Sequence, residues 1–309
     1  MVESRKGRVA ITGASGFIGS FLAARLAESG WQVKGLLRPG RKLPESAKWQ
    51  AVSGSLEDFA ALRSLSEEVD AVIHCAGAVR GADYDDFARV NVTGLANLVE
   101  VLKTSARLPR LIHFSSLAAR QPQLSWYAAS KHEGEEYLRA NGSFLDWTIL
   151  RPPAVYGPGD REMLPLFRLL ARGLATVPGA GRARFSLLHV EDLAGAVERL
   201  LSDPRPGRIF ELHDGRESGY DWSEVIEIAA RLRRRPVRRV QIPALLLSLA
   251  ANLNLAAARL FSYRPMLTPG KVREILHPDW VADNREITAA TGWQPQISLE
   301  TGLAGLCDW

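Results

Sequence analysis

Cysteine is almost missing: Cys75 and Cys307 are the two in a chain of 309 residues, and they lie far apart. That sets aside a disulfide-stapled fold and makes a reducing compartment the expected setting. No cysteine–histidine cluster has metal-ligand spacing, so no metal is expected. No secretory leader pattern is visible, because charged first residues run into an apolar strand, and a cytoplasmic protein is expected. Repeats and low-complexity tracts are also lacking. Charge of one sign is scarce overall, with 39 basic and 34 acidic residues giving +5, and nucleic acid is not an expected partner. What is present is an apolar fraction of 46%, enough to bury a full core.

Strand and helix signals alternate through the first half. Strands are predicted near Val9–Thr12, Gln32–Leu37, Trp49–Val52, Ala71–His74, Leu111–Ser115 and Trp147–Leu150. Helices are predicted near Phe17–Ser29, Asp58–Leu65, Phe87–Ser105 and Tyr127–Ala140. Short apolar strands separated by helices predict an α/β fold, a Rossmann-type doubly wound parallel sheet with ligands at the carboxyl ends of its strands. Residues 1–152, with later returning segments, form the expected dinucleotide-binding part. Residues 153–309 mainly form a smaller mixed α/β lobe for substrate, with helices near Met163–Arg172, Leu193–Leu201 and Trp222–Leu232 and strands near Phe185–His189, Ile209–Leu212 and Val237–Ile242.

The first strand runs into Thr12-Gly13-Ala14-Ser15-Gly16-Phe17-Ile18-Gly19. Gly13 permits a tight turn, Gly16 lets backbone approach a pyrophosphate, and Gly19 lets the helix pack close. The helix then points unpaired N–H groups at phosphates. Further on, Tyr127 and Lys131 lie four apart on a predicted helix and so share a face. A phenol ionises near about pH 10, and a nearby ammonium lowers that value, so Tyr127 can exchange a proton with a carbonyl or alcohol oxygen. Ser116, at the end of an apolar strand, is the candidate to hold the substrate oxygen; Ser115 is the alternative, and either serine can simply cap the turn. His74 and His113, at strand ends, read as packed, hydrogen-bonded histidines.

These motifs resemble the extended short-chain dehydrogenase/reductases of the broad NAD-dependent epimerase/dehydratase family. Matching pieces in order are Thr12–Gly19, Asp70–Gly77, Asn91–Gly94, Ser115-Ser116, Tyr127–Lys131, Arg151–Gly159 and Gly292–Pro295. The resemblance implies a catalytic triad of Ser116, Tyr127 and Lys131, with Asn91 as the helix-bending residue beside the proton relay. It implies cofactor contacts at Gly13, Ser15, Gly16, Phe17, Ile18, Gly19, Ser55, Leu56, Cys75, Ala76, Gly77, Ser115, Tyr127, Lys131, Pro153 and Val155. Substrate contacts are expected at Val79, Leu117, Ala154, Tyr156 and Phe185. Many relatives pair through the Tyr/Lys helix, which implies a homodimer.

The second strand ends in Arg38 where NAD-preferring relatives place a carboxylate. Arg38, with Arg41 or Lys42 as a second cation, suits a 2′-phosphate, so NADP(H) is favoured and NAD(H) left open. Leu117-Ala118 follows Ser116 where sugar dehydratases of the family carry Asp-Glu, which speaks against dehydration. Ala154, Phe185 and Leu187 stand where sugar-diphosphate relatives have polar or cationic groups, although Arg182 and Arg184 remain nearby. Such a lining suits a lipophilic substrate.

The expected function is therefore oxidoreduction between a ketone and a secondary alcohol. Candidates are a long-chain 3-oxo lipid, such as the 3-ketosphinganine type of bacterial ceramide pathways, and a 3β-hydroxysteroid-like molecule. The alternatives are a nucleotide-sugar epimerase or reductase, and a non-catalytic nucleotide-binding scaffold that the intact Tyr127 and Lys131 oppose. Pro243–Phe261 reads first as a buried or lid helix. Its alternative is an interfacial helix, with the Arg231–Arg239 cluster meeting anionic headgroups of a membrane. Relatives that act on sterols and other lipids often carry an apolar insertion here.

Overall fold

The computed structural model describes residues 6–41, 43, 47–307 and 309. Its centre is a parallel sheet of seven strands. Six come from the first half: β1 (Arg8–Thr12), β2 (Gln32–Leu37), β3 (Gln50–Ser53), β4 (Ala71–His74), β5 (Arg110–Phe114) and β6 (Trp147–Arg151). The seventh, Arg208–Glu211, returns from the second half and pairs with β6. The spatial order is Arg208–Glu211, β6, β5, β4, β1, β2, β3. The chain winds outward from β1 to β3, jumps back to β4 and winds the other way. The reversal between β1 and β4 opens a crevice at their carboxyl ends, where such sheets take ligands.

Side-chain alternation along β1 sorts the core into two layers. Val9 and Ile11 face Leu22 and Leu26 of α1 (Phe17–Glu28), whereas Ala10 faces Leu62, Leu98 and Leu102 on the other side. The first layer is completed by Val197, Phe210, Ile287 and Trp293, all from the second half. A third cluster, with Phe167, Leu187, Val225 and Leu299, lies under the smaller lobe.

The predicted strand Phe185–His189 is two short strands with different neighbours. Arg184–Phe185 pairs with Asp279–Trp280, and Leu187–His189 pairs with Ala154–Tyr156. The predicted helix Phe87–Ser105 is also broken. It runs as Tyr84–Ala88, then a π-helical turn over Arg89–Thr93, then Gly94–Lys103. The Ala244–Phe261 segment is a continuous helix, but only Ala251, Leu255 and Ala258 on it are buried. The buried-helix expectation therefore fails for most of its surface.

Candidate active site

The glycine turn closes as a compact loop: the Gly16 N–H donates to the Gly13 carbonyl at 2.9 Å. Gly13 has φ +71, and a Cβ there would lie 2.7 Å from the Ala76 nitrogen. At Gly19 a Cβ would meet the Gly13 carbonyl oxygen at 2.3 Å, so this glycine permits the helix to start against the turn itself. Gly16, the N-cap residue of α1, supplies no side-chain cap, and the first turn holds no acidic residue. Ser15 and Gly16 are exposed, and Phe17 and Ile18 are half-buried. Backbone N–H groups are thus presented to the crevice, an arrangement that fits a pyrophosphate.

Beside that turn, Cys75 and Ala76 are half-buried at the end of β4 and Gly77 is exposed. Thr12 Oγ1 accepts a hydrogen bond from the Ala76 N–H at 3.3 Å. A Cβ at Gly77 would stand 3.1 Å from Lys131 Nζ and 3.4 Å from Asn91 Oδ1. The fold therefore gathers the turn, the β4 end, Lys131 and Asn91 around one crevice. Arg38 is exposed at the end of β2, with Arg41 close by; Lys42 falls outside the described residues. Ser55 is half-buried and caps locally by accepting from the Glu57 N–H, while Leu56 packs under Gly94. Pro153 and Val155 are half-buried at the mouth of β6.

Ser125 starts the Trp126–Asn141 helix by accepting from the Ala128 N–H at 2.9 Å. Tyr127 is half-buried in its first turn, and Lys131 is buried one turn later. Lys131 Nζ donates to the Phe114 carbonyl at 2.9 Å. Burial lowers the Lys131 pKa to about 8, against the opposing pull of Cys75 and Glu135. Asn91 sits in the π turn and uses its whole amide. It accepts from the Ala78 N–H at 2.9 Å and donates to the Ala78 carbonyl at 3.1 Å and to Ser130 Oγ at 2.8 Å. Ser130 Oγ in turn donates to the Tyr127 carbonyl.

Of the two serines, Ser116 reaches the site. It is half-buried, accepts from the Ala118 N–H at 3.2 Å and draws the Tyr127 pKa down. Ser115 is buried and donates to the Glu135 carboxylate, so its hydroxyl is aimed under the sheet and away from a cofactor. Two expected substrate contacts also move. Leu117 is 3% exposed, and Tyr156 is 0% exposed within the third cluster, packed on Phe167 and His189. Tyr156 shares a strand face with exposed Ala154, yet its phenol is packed into the core against Phe167 and His189. Val79 and Ala154 are exposed, while Phe185 is half-buried against Trp222. His74 accepts or donates to Thr12 at 2.8 Å and is held neutral, its pKa lowered to about 3 by burial and then Lys131. His113 stacks on His74 but has neither ring nitrogen hydrogen-bonded, contrary to the sequence expectation.

Sequence reasoning missed a second cation beside the phenol. Lys271, on the Pro269–Leu276 helix, places Nζ 5.8 Å from the Tyr127 ring centroid and donates to Glu274 at 2.8 Å. Ser125 donates to the same carboxylate, which locks that helix onto the start of the Tyr127 helix. Burial raises the Tyr127 pKa; the Ser116 hydrogen bond and the Lys271 charge pull it back, and Glu274 opposes them. Burial also works against the Lys271 charge, but Glu274 and Tyr127 overcome it and keep the ammonium above its ordinary pKa. Beside the Lys131 expected from spacing, Lys271 is thus a second ammonium whose charge acts on the phenol. Thr268-Pro269 announced a helix start, but nothing local showed what that helix would touch. An open depression lined by Gly7, Asp70 and Arg107 faces the amino ends of β1 and β4, away from this chemistry.

Residues 9–212 match the NAD dependent epimerase/dehydratase family. The chain is 36% identical to the ceramide reductase of Caulobacter vibrioides, over 100% of this chain and 96% of that protein. It is 25% identical to the 2-alkyl-3-oxoalkanoate reductase of Stenotrophomonas maltophilia, over 97% and 98% of the two. A putative epimerase from Burkholderia cenocepacia superposes with TM-score 0.77 at 21% identity, over 98% of each chain. The fold is shared as well with MoeE5 in complex with UDP-glucose and NAD (TM-score 0.73, 24% identity, 96% of each chain). RMD from Pseudomonas aeruginosa complexed with NADPH gives TM-score 0.71 at 22% identity, over 97% of each chain. With a glycine turn at the head of α1, Tyr127 and Lys131 on one helix and a family match over residues 9–212, this chain belongs to the NAD dependent epimerase/dehydratase family and is an NAD(P)-dependent oxidoreductase of the extended short-chain dehydrogenase/reductase type.

Proposed function

We propose that the protein is an NADP(H)-dependent oxidoreductase that interconverts a ketone and a secondary alcohol on a lipophilic substrate. A long-chain 3-oxo lipid of the 3-ketosphinganine type is placed first, ahead of a 3β-hydroxysteroid-like molecule. The observation that carries the chemistry is the Tyr127 phenol, faced by the Lys271 ammonium 5.8 Å from its ring, with Ser116 also drawing its pKa down. The nicotinamide supplies or accepts the hydride. Ser116 orients the substrate oxygen, and in reduction Tyr127 gives that oxygen a proton as the carbonyl carbon becomes a secondary alcohol carbon. Lys271 and Ser116 stabilise the phenolate left behind. Lys131, fixed by the Phe114 carbonyl beside Gly77, binds the cofactor ribose in this reading.

Three observations support the substrate and cofactor. Exposed Val79 and Ala154 give the crevice apolar edges. Of the two arginines available for a sugar diphosphate, Arg184 is spent on the Ser218 and Gly219 carbonyls and on Asp221 and Glu224, while Arg182 stays exposed. Exposed Arg38 at the end of β2 suits a 2′-phosphate. The names of the ceramide and 3-oxoalkanoate reductases point the same way. Purified protein is to be assayed with NADPH against long-chain 3-oxo lipids and against UDP- and dTDP-sugars. NADPH consumption by a lipid ketone, reduced about 10²–10⁴-fold in Tyr127→Phe, is the expected result. Turnover of sugar nucleotides without any lipid ketone reverses the reading. Arg38→Ala should weaken NADPH binding about tenfold or more and leave NADH unchanged; tighter NADH binding by the intact protein overturns the cofactor assignment.

A further inference from the structure

We infer that the Ala244–Phe261 helix lies on the surface of an anionic lipid bilayer, with its leucine stripe inserted among the acyl chains and flanking arginines against the headgroups. The helix has two faces of opposite fate. Ala251, Leu255 and Ala258 are buried, and Asn254 is tied to the Leu267 carbonyl at 2.8 Å, so one side is docked on the body. At helical spacing the opposite side carries Leu245, Leu249, Leu253 and Leu260, with Leu246 and Phe261 at its edge. These are large apolar side chains held in the open: Leu245 is 79% exposed, Leu260 76% and Phe261 72%. A surface helix of a soluble protein ordinarily turns its polar face outward. Here the outward face is the apolar one, and Ser248, Asn252 and Arg259 fall to its side.

Charge identifies what covers this face. From Ile228 to Arg273 the chain has ten arginines and lysines and no carboxylate. Arg234, Arg235 and Arg238 are exposed just before the helix, Arg259 is exposed near its end, and no ion pair involves any of the four among the described residues. A second copy of the chain docking by the same patch would bring two such cationic surfaces together with nothing to neutralise them. An anionic bilayer supplies both an apolar layer and the opposite charge. The helix is long and apolar enough to cross a membrane by length and composition. Its docked face and the bond from Asn254 hold it against the body, which selects a position in the plane of the interface. The Pro269–Leu276 helix, which carries Lys271 to Tyr127, packs directly against it. The bilayer-facing surface is therefore one helix away from the reactive phenol.

The test uses the full chain without substrate or cofactor, so it stands apart from the proposed reaction. Flotation is measured with vesicles of phosphatidylcholine alone and with added phosphatidylglycerol. Binding to the anionic vesicles, weakened by salt, is expected. Leu249→Glu with Leu253→Glu should abolish it, and Arg234→Glu with Arg235→Glu should weaken it by about tenfold or more. Both pairs are exposed, and thermal melts check that the variants remain folded. Absence of binding to anionic vesicles overturns the inference, as does equal binding by the folded leucine variant. A dimer by light scattering that the leucine variant alone converts to monomer, with no vesicle binding, assigns the face to a second copy instead.

Discussion

The two lysines assigned to the Tyr127 site differ in electrostatic character. Lys131 is buried and has its pKa lowered to about 8, whereas Lys271 is kept charged by Glu274. Removing the Lys271 charge favours the neutral phenol, so Tyr127 then ionises at higher pH. Alcohol oxidation needs the phenolate and rises as pH passes through that ionisation. In Lys271→Met the rising limb of kcat/KM should move to higher pH, with activity at about pH 8 down by roughly tenfold. Lys271→Arg should restore the limb. A merely structural loss would lower activity at every pH equally, and that outcome would sink the electrostatic role. Tyr156 and Leu117 teach a different lesson at this scale. Both neighbour motif residues, yet both are buried, Tyr156 against Phe167 and His189, and burial removes them from the crevice.

At the scale of elements, the Trp126–Asn141 helix is held to the sheet by a buried charged network. Arg151 of β6 donates to both oxygens of Glu135, at 2.9 Å from Nε and 2.5 Å from Nη2, and Ser115 donates to the same carboxylate. Glu135 is 1% exposed, so it depends on these donors. Arg151→Met strands a buried carboxylate and should cost about 3–5 kcal/mol in urea melts at neutral pH. Adding Glu135→Gln removes the stranded charge and should recover part of the loss; an equal deficit in the double variant would show that lost packing, not charge, is responsible. The same helix was legible from Tyr127–Lys131 spacing and its serine cap. The π turn at Arg89–Thr93 was announced only by the family resemblance, which made Asn91 the helix-bending residue; local spacing read one helix, because the Asn91 amide bridges Ala78 and Ser130 across the fold.

Across the whole molecule, the two halves are not stacked end to end. The Arg208–Glu211 strand completes the sheet beside β6, and Val197, Ile287 and Trp293 enter the first core layer with Val9 and Ile11. A fragment of residues 1–152 would expose that layer and leave the Trp147–Arg151 strand at an open edge. It should show no cooperative thermal transition, whereas the full chain melts cooperatively; a sharp transition in the fragment would contradict this shared core.

The sequence alone determined what depends on neighbours a few residues away. The strand–turn–helix at Thr12–Gly19, the alternation of strands and helices, and the pairing of Tyr127 with Lys131 on one helix face all follow from local spacing. Only the tertiary structure decided what those faces meet. It brought Lys271 to Tyr127, aimed Ser115 at Glu135 and Ser116 at the crevice, and left the leucines of Ala244–Phe261 outside the core. Spacing fixes the direction of a side chain relative to its own element, whereas its partner is set by how distant elements pack.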